Sequence, residues 1–524
     1  MKRKVAACPS CGGPVEFQIS TSLVTVCGFC NSAVARADKK VEDHGKVADL
    51  VQTNSSIQLG LRGTFNRKGF NVVGRVQYRH PAGGVWDEWY LLFSSGRWGW
   101  LAEAQGKTYL TFEKKLAPEM QVPDFDELSA GAPFQLGSLG KFVVAEKGTA
   151  TTISADGEIP WNFTPGEEVV SADLQGPDGG FATFEYKNGK AIGIYIGVET
   201  TLDALGLPIE AEEVGGFETA NTAALSLNCP NCAGPLTLHA PDATERVCCP
   251  NCSSLLDTSE GKLEYFSTLK MKKVKPVLPL GKTGTFRGVE YTIIGFMERF
   301  TRYAGTVYPW TEYLLYAPGL GFRWLVHSEG HWTFAKPISV GDIQHGGARV
   351  TYKDEGFRLF DRYRASVRYV VGEFYWKVLL GEEVSMRDFI APPQMISMEK
   401  SIRINKNQPT EELNVSLASH VPHEELEEAF GVEELWRPWS VGPAQPRPKN
   451  GGVFMLWLAF AGVLFGINLL FSALASGTGV DQWLFFYALV FVSVIPIGTL
   501  LYNYQFEVNR WKDSDFSPYA THDD

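Results

Sequence analysis

The sequence has no glycine loop long enough to cradle a phosphate, no nucleophile turn and no cysteine–histidine pairing. Its nearest approach, Gly281-Lys-Thr-Gly284, is too short for a nucleotide-binding loop and opens a β-rich stretch. Positive charge is scarce: 48 Lys and Arg stand against 59 Asp and Glu, giving a formal net charge of -11 and an isoelectric point near 5.5. That balance works against sequence-independent nucleic-acid binding, which needs clustered bases to neutralise phosphates. His80, His239, His327 and His331 show no mutual ligand spacing, so a histidine metal site is not indicated. The opening residues MKRKVAACPS lack the apolar core of a secretory signal. The few cysteines fall in metal-binding spacings rather than a disulfide framework, so the soluble part is expected in a reducing compartment. With 44% apolar and 20% charged residues over 524 positions, the chain has material for several folded domains.

What is present is a duplication. Cys8-Pro-Ser-Cys11-Gly-Gly-Pro followed by Cys27-Gly-Phe-Cys30 recurs as Cys229-Pro-Asn-Cys232-Ala-Gly-Pro followed by Cys249-Pro-Asn-Cys252. A C-x2-C turn offers two thiolates to one ion, and two such knuckles separated by 15 or 16 residues complete a tetrahedral site. Cys8, Cys11, Cys27 and Cys30 are therefore expected to share one zinc, and Cys229, Cys232, Cys249 and Cys252 a second. A unit of ~30 residues cannot bury a core, so metal worth on the order of 10 kcal/mol is first of all structural, with partner recognition by the ribbon the alternative. Cys248 stands where the first copy has Val26 and is either a spare thiol or a replacement for Cys249 as ligand.

Each ribbon is trailed by a similar β-rich run. Gly63-Thr-Phe65 matches Gly284-Thr-Phe286, and Trp86-Asp-Glu88-Trp matches Trp310-Thr-Glu312-Tyr. Gly157-Glu158-Ile-Pro-Trp161 matches Gly372-Glu373-Phe-Tyr-Trp376, with Glu167, Glu168 and Asp173 matching Glu382, Glu383 and Asp388. β-Branched and aromatic residues interrupted by glycine predict short antiparallel strands with bulges, forming a small barrel or sandwich in each copy.

The C-terminus changes the class of the protein. Val453–Leu474 and Trp483–Tyr502 carry no charge over 22 and 20 residues, each long enough to cross a ~30 Å hydrocarbon core. Arg447 and Lys449 precede the first span and Arg510 and Lys512 follow the second, whereas the short link carries only Asp481. The positive-inside bias places both termini in the cytoplasm. An acidic helix from His423 to Leu435, expected to dock on its own chain, and a Pro-rich linker lead into the spans.

The fold expected is thus mainly β: zinc ribbon 1–40, β module 55–210, zinc ribbon 222–260, β module 276–395, helix and linker 396–450, a transmembrane α-hairpin 451–504 and a tail 505–524. The glycine–aromatic hairpin, W-x-E-[WY] strand, G-E-x-x-W segment and late Pro392-Pro393, preceded by a C-P-x-C-G-G-P ribbon, resemble the bacterial family catalogued as domain of unknown function 4178. The resemblance covers both copies and implies β-rich modules with ribbons or membrane segments, encoded near polyamine-synthesis-like proteins, but no activity. Recurring acids and rings, with Glu88, Glu158, Trp161, Glu312, Glu373 and Trp376 as candidate ligand-binding residues, suit a cation such as a polyamine, because carboxylates and aromatic faces both stabilise ammonium groups. A paired-carboxylate enzyme would need one carboxyl of raised pKa beside an ionised one. The expectation is a membrane-anchored adaptor at the inner face of the bacterial membrane, binding a protein or cationic ligand. A nucleic-acid-binding ribbon protein and a carboxylate-dependent enzyme are the alternatives.

Overall fold

The computed structural model describes residues 4–17, 19, 21–37, 40–48, 50, 55–80, 85–104, 107–115, 122–207, 225–240, 244–259, 262–318, 320–405, 408–448, 451–474 and 482–519. Lys449 and Asp481, used above for membrane orientation, lie outside these residues.

The chain is mainly β, and its two copies share one topology. In the first, β1 (Lys68–Arg79), β2 (Val85–Phe93), β3 (Trp98–Ala104) and β4 (Lys107–Lys114) form a meander. Next come β5 (Lys141–Ile159), β6 (Glu168–Gln175), β7 (Gly180–Lys187) and β8 (Lys190–Thr200), paired in sequence. β4 pairs β8 and β5 pairs β1, so the ladder closes on itself. The second copy repeats this with β9 (Val289–Tyr303), β10 (Thr306–Ala317), β11 (Gly321–Ser328), β12 (His331–Pro337), β13 (Glu355–Phe374), β14 (Glu383–Ala391), β15 (Gln394–Asn405) and β16 (Gln408–Val421). There β12 pairs β16 and β13 pairs β9. Closure leaves neither ring an open edge along these ladders. Strands β15 and β16 run past residue 395, where the sequence reading ended this module. Their Lys, Glu and Ser alternate with Ile, Met, Leu and Val, a half-buried pattern that overall polarity conceals.

Each ribbon is a two-stranded hairpin plus a three-stranded sheet. The hairpins are Lys4–Ala7 with Pro14–Phe17 and Leu225–Asn228 with Pro235–Leu238. The third sheet strands, Lys40–Lys46 and Lys262–Thr268, carry the ribbons beyond residues 40 and 260. The ribbon sheets dock on the ends of the two longest strands: Thr25 opposes Glu158 on β5, and Val247 opposes Glu373 on β13.

At the docking corner the chain approaches itself so closely that only glycine fits. A Cβ on Gly74 would lie 2.1 Å from the Glu158 carbonyl oxygen, and one on Gly295 would lie 2.4 Å from that of Glu373. Both glycines follow a register shift, in β1 and β9, that bends the strand across its partner.

The rings meet edge to edge, with Glu146 and Lys147 of β5 opposing Glu412 and Glu411 of β16. Ala130, Val143 and Ala145 of the first copy share one core with Val340, Ile343, Phe357, Ile396 and Val415 of the second. The buried Lys147 ammonium donates to the Phe125 and Leu128 carbonyls at 2.9 and 2.8 Å, which satisfies a charge that would otherwise be costly there.

α1 (His423–Phe430) is shorter than expected because Gly431 adopts the left-handed conformation and ends it. Leu426 and Phe430 join the second core, with Leu435 from the following loop. α2 (Gly451–Leu474) and α3 (Gln482–Arg510) are the apolar pair, joined by a Trp457 Nε1–Ser493 Oγ hydrogen bond of 3.3 Å. Both are long and apolar enough to cross a membrane.

Substituting Gly74 or Gly295 by alanine must push two backbones apart. Each change is expected to cost at least about 2 kcal/mol in urea unfolding of the full chain and to speed proteolysis of the ribbon of its own copy. Equal midpoints for the variants and the parent would refute the close-approach argument.

Candidate functional site

The four knuckles share one local design. In each, the residue after the second cysteine takes positive φ: Gly12 at 76°, Asn31 at 55°, Ala233 at 56° and Ser253 at 59°. Its N–H donates to the carbonyl of the first cysteine at 2.8 to 2.9 Å. This turn aims both thiols to one side. Cys8, Cys11, Cys27 and Cys30 converge, as do Cys229, Cys232, Cys249 and Cys252, with the sulfurs of each set within 4.8 Å of one another. The individual separations are 3.7 Å for Cys8–Cys30, 3.8 Å for Cys11–Cys27, 3.7 Å for Cys229–Cys252 and 3.9 Å for Cys232–Cys249. A tetrahedral ion with metal–sulfur bonds of about 2.3 Å requires sulfurs about 3.8 Å apart, so both sets fit a metal ion. Cys248 is not part of the second set. It is fully buried with Ile294, Val370 and Phe374, because neighbouring residues on a strand point to opposite faces.

Two of the candidate ligand-binding carboxylates serve the ribbons instead. Glu158 accepts from the Ile19 amide at 3.1 Å and the Ser22 hydroxyl at 2.5 Å. Glu373 accepts from the amides of His239 and Ala240 at 2.7 and 3.0 Å and from the Thr244 hydroxyl at 2.9 Å, with His239 Nδ1 at 3.0 Å. Neither lines the internal cavity, and nor does Trp161, whose indole donates to the Tyr90 hydroxyl at 2.8 Å. The repeated Gly-Glu is thus a fastener: glycine permits the approach and glutamate bonds the loop that closes over it.

Glu88, Glu312 and Trp376 do line that cavity, which has a volume of about 2220 Å³ and draws its walls from both rings. In the first ring Glu88 is joined by Asp173 and Glu185. Asp173 and Glu185 sit on the paired strands β6 and β7 and Glu88 on β2 across the ring, so the influence of the two on Glu88 crosses the interior. Burial, with Glu185 and then Asp173 adding repulsion, pushes the Glu88 carboxyl up to about 8. Burial, helped by Glu146, raises Asp173 to about 7, and burial, helped by Glu113, raises Glu185 to about 7. In the second ring Arg299 lies among the acids, donating to Glu399 at 2.8 Å and to Glu312 at 3.4 Å. Tyr363 donates to Asp388 at 2.8 Å. Burial pushes Asp388 up to about 6. Glu185, Glu399 and Arg299 escaped the sequence reading; extended without a gap, the alignment that pairs Asp173 with Asp388 sets Glu185 against Lys400, and only the strand register matches it with Glu399.

Because the three carboxyls of the first ring hold protons that an unfolded chain releases near pH 4, they contribute stability that is complete below that pH. It is lost progressively as pH rises from there to about 7 to 8, where the folded carboxyls ionise as well. The melting temperature is expected to fall over this interval, and Glu88→Gln combined with Glu185→Gln to flatten the fall; an unchanged slope would place these groups in water. Glu373→Gln is expected to cost about 2 to 3 kcal/mol and to open the second ribbon to protease, whereas Cys232→Ser removes one bound metal ion of two. Equal metal content in Cys232→Ser and the parent would overturn the four-thiolate assignment.

Searches against curated proteins and solved structures return no match. The family model for a domain of unknown function, DUF4178, matches residues 58–201 and 279–423, one segment for each ring and together more than half of the chain. The second match ends beyond β16, in agreement with the strands that close that ring. The chain therefore belongs to the DUF4178 family and carries two copies of its domain in tandem.

Proposed function

We propose that this protein is a membrane-anchored zinc-ribbon adaptor that holds its two β modules at the cytoplasmic face of the membrane and recruits a protein or cationic ligand there. The observation that carries the reading is the junction between anchor and module. Arg447 Nε donates to Glu507 Oε1 at 2.6 Å, and Arg510, with a side chain 0% exposed, pairs with the same carboxylate at 3.2 Å. Arg510 also donates to the Gly442 and Pro443 carbonyls at 3.1 and 2.8 Å. Beyond the helix, Trp511 packs on Phe360 of β13 with ring centroids 5.3 Å apart, and Ser514 donates to the Phe360 carbonyl at 2.5 Å. The anchor is thus built into the surface of the second ring rather than tethered by a loose linker. Zinc is the ion proposed, since four thiolates in a tetrahedral closed shell suit it and leave no open position for catalysis. Both ions would be structural, maintaining the ribbons that Glu158 and Glu373 fasten to the rings.

Arg447, Arg510 and Lys512 on the module side of the spans support a cytoplasmic orientation. The exposed cluster Lys270, Lys272, Lys273 and Lys275 adds a basic surface of the kind that anionic lipids attract, at about 1 kcal/mol per residue. Lys273 already reaches the Pro250 and Asn251 carbonyls of the second ribbon, both at 3.4 Å.

Full-length protein from gently solubilised membranes is expected to contain two zinc ions and a stoichiometric partner. Removing residues 449–524 should release a soluble, metal-loaded chain. Zinc below one ion per chain would refute the metal reading, membrane retention of the truncated chain would refute the anchor, and the lack of any partner in both preparations would refute recruitment.

A further inference from the structure

The two rings keep the same three interior carboxylates and fill the space between them differently. Val76 opposes Glu88 as Met297 opposes Glu312. Ser171 opposes Glu185 as Met386 opposes Glu399, and Asp173 opposes Thr183 as Asp388 opposes Ser397. These registers superpose Glu88, Asp173 and Glu185 on Glu312, Asp388 and Glu399. The same registers set Tyr78, opposite Trp86, where Arg299 lies opposite Trp310. They also set Gly148 where Tyr363 stands.

In the second ring the carboxylates are occupied. Arg299 bonds Glu399 and Glu312 and lies 6.0 Å from the centroid of Trp310, while Tyr363 supplies a hydroxyl to Asp388. The first ring retains the acids and the tryptophan and loses both of these donors. Tyr78 lies flat on Trp86, with centroids 5.4 Å apart and planes at 17°. Gly148 has no side chain to offer Asp173. Among the described residues, no cationic side chain ion-pairs with Glu88, Asp173 or Glu185. Their partners are hydroxyls: Tyr78 and Tyr90, the latter at 3.4 Å, for Glu88, Thr183 at 2.7 Å for Asp173 and Tyr195 at 3.3 Å for Glu185. All three border the cavity and retain partial solvent contact through it, as Glu312 and Glu399 do in the second ring, where Arg299 between them is 6% exposed. Three carboxyls deep in a fold ionise together only beside a counter-charge, and the duplicate ring shows which counter-charge this constellation accepts.

We propose that the first ring binds an organic cation with a guanidinium or ammonium head between Glu88, Asp173 and Glu185, against the Trp86–Tyr78 stack, and that Arg299 keeps the second ring closed to the same ligand. This names the ligand class of the recruiting role above and rests on it. The rings contribute cation–π attraction and the carboxylates contribute charge-assisted hydrogen bonds. One chain thus presents one cation site despite its two domains.

The probe is N-propylguanidinium, the side chain of Arg299 without its backbone, titrated calorimetrically into the full-length protein in detergent. One equivalent is expected to bind the parent. Tyr78→Arg should reduce this to none, Glu88→Gln should weaken it at least about tenfold through loss of one charge-assisted bond, and Arg299→Ala should raise the stoichiometry to two. The Arg299→Ala gain decides the matter should Tyr78→Arg prove misfolded by metal content and melting temperature. No heat in either the parent or Arg299→Ala overturns the proposal, as does binding that survives in folded Tyr78→Arg. If binding is absent while partners still co-purify from membranes, the cation site fails and the recruiting role stands. One equivalent bound with no co-purifying partner would leave the cation site in place and remove the protein adaptor.

Discussion

One long strand in each copy carries three structures at once, and its hydrogen-bonding capacity governs how the molecule is assembled. β5 gives one stretch to β6, another to β1 and its end to the first ribbon, and at Glu146 and Lys147, opposite its β6 stretch, it also pairs with β16 of the other ring. β13 does the same for β14, β9 and the second ribbon. A strand has only two edges, so it can serve this many neighbours only by being long and bent and by changing partners along its length. The bend needs the register shifts, and the crossing at its end needs Gly74 or Gly295. The charged fastener then makes sense: each ribbon shares only two or three paired positions with the end of its long strand, and Glu158 or Glu373 supplies what that short ladder does not.

Closure of the rings has an electrostatic cost as well as a benefit. A closed ring satisfies its backbone internally and encloses whatever its inward positions carry. Here those positions carry carboxylates. The second ring offsets its acids with Arg299, leaving only Arg299 Nε and Asp388 Oδ1 among the buried side-chain atoms of the described residues without a partner. The first ring meets the same repulsion by retaining protons. One duplicated framework therefore holds two answers to the same charge problem, separated by the exchange of tyrosine for arginine.

How much of this was readable in the sequence follows from the range of each interaction. The four-cysteine sets were legible because C-x2-C turns are local and self-contained, and the two long apolar helices because length and lack of charge are properties of a segment. The two β modules were legible as strand-rich repeats, while the extent of the second was not, since β15 and β16 face a core on one side only. Glu158 and Glu373 stood out as repeated, yet their role depends on loops 129 to 139 residues away. Glu185 and Arg299 join the interior only through cross-strand register, which no linear motif records. Cys248 was ambiguous by spacing and settled by strand alternation, which points it away from the thiolate set.

β13 also connects two distant points. Phe360 near its start bears on Trp511 just past α3, and Glu373 at its end grips the second ribbon. Between them lies about 40 Å of chain at strand pitch, clamped by neighbours along most of its length and so unable to stretch. It acts as a strut. It fixes the separation between the Trp511 contact at one end and the second ribbon at the other, so the two ends of the second copy are held in one register by a single strand.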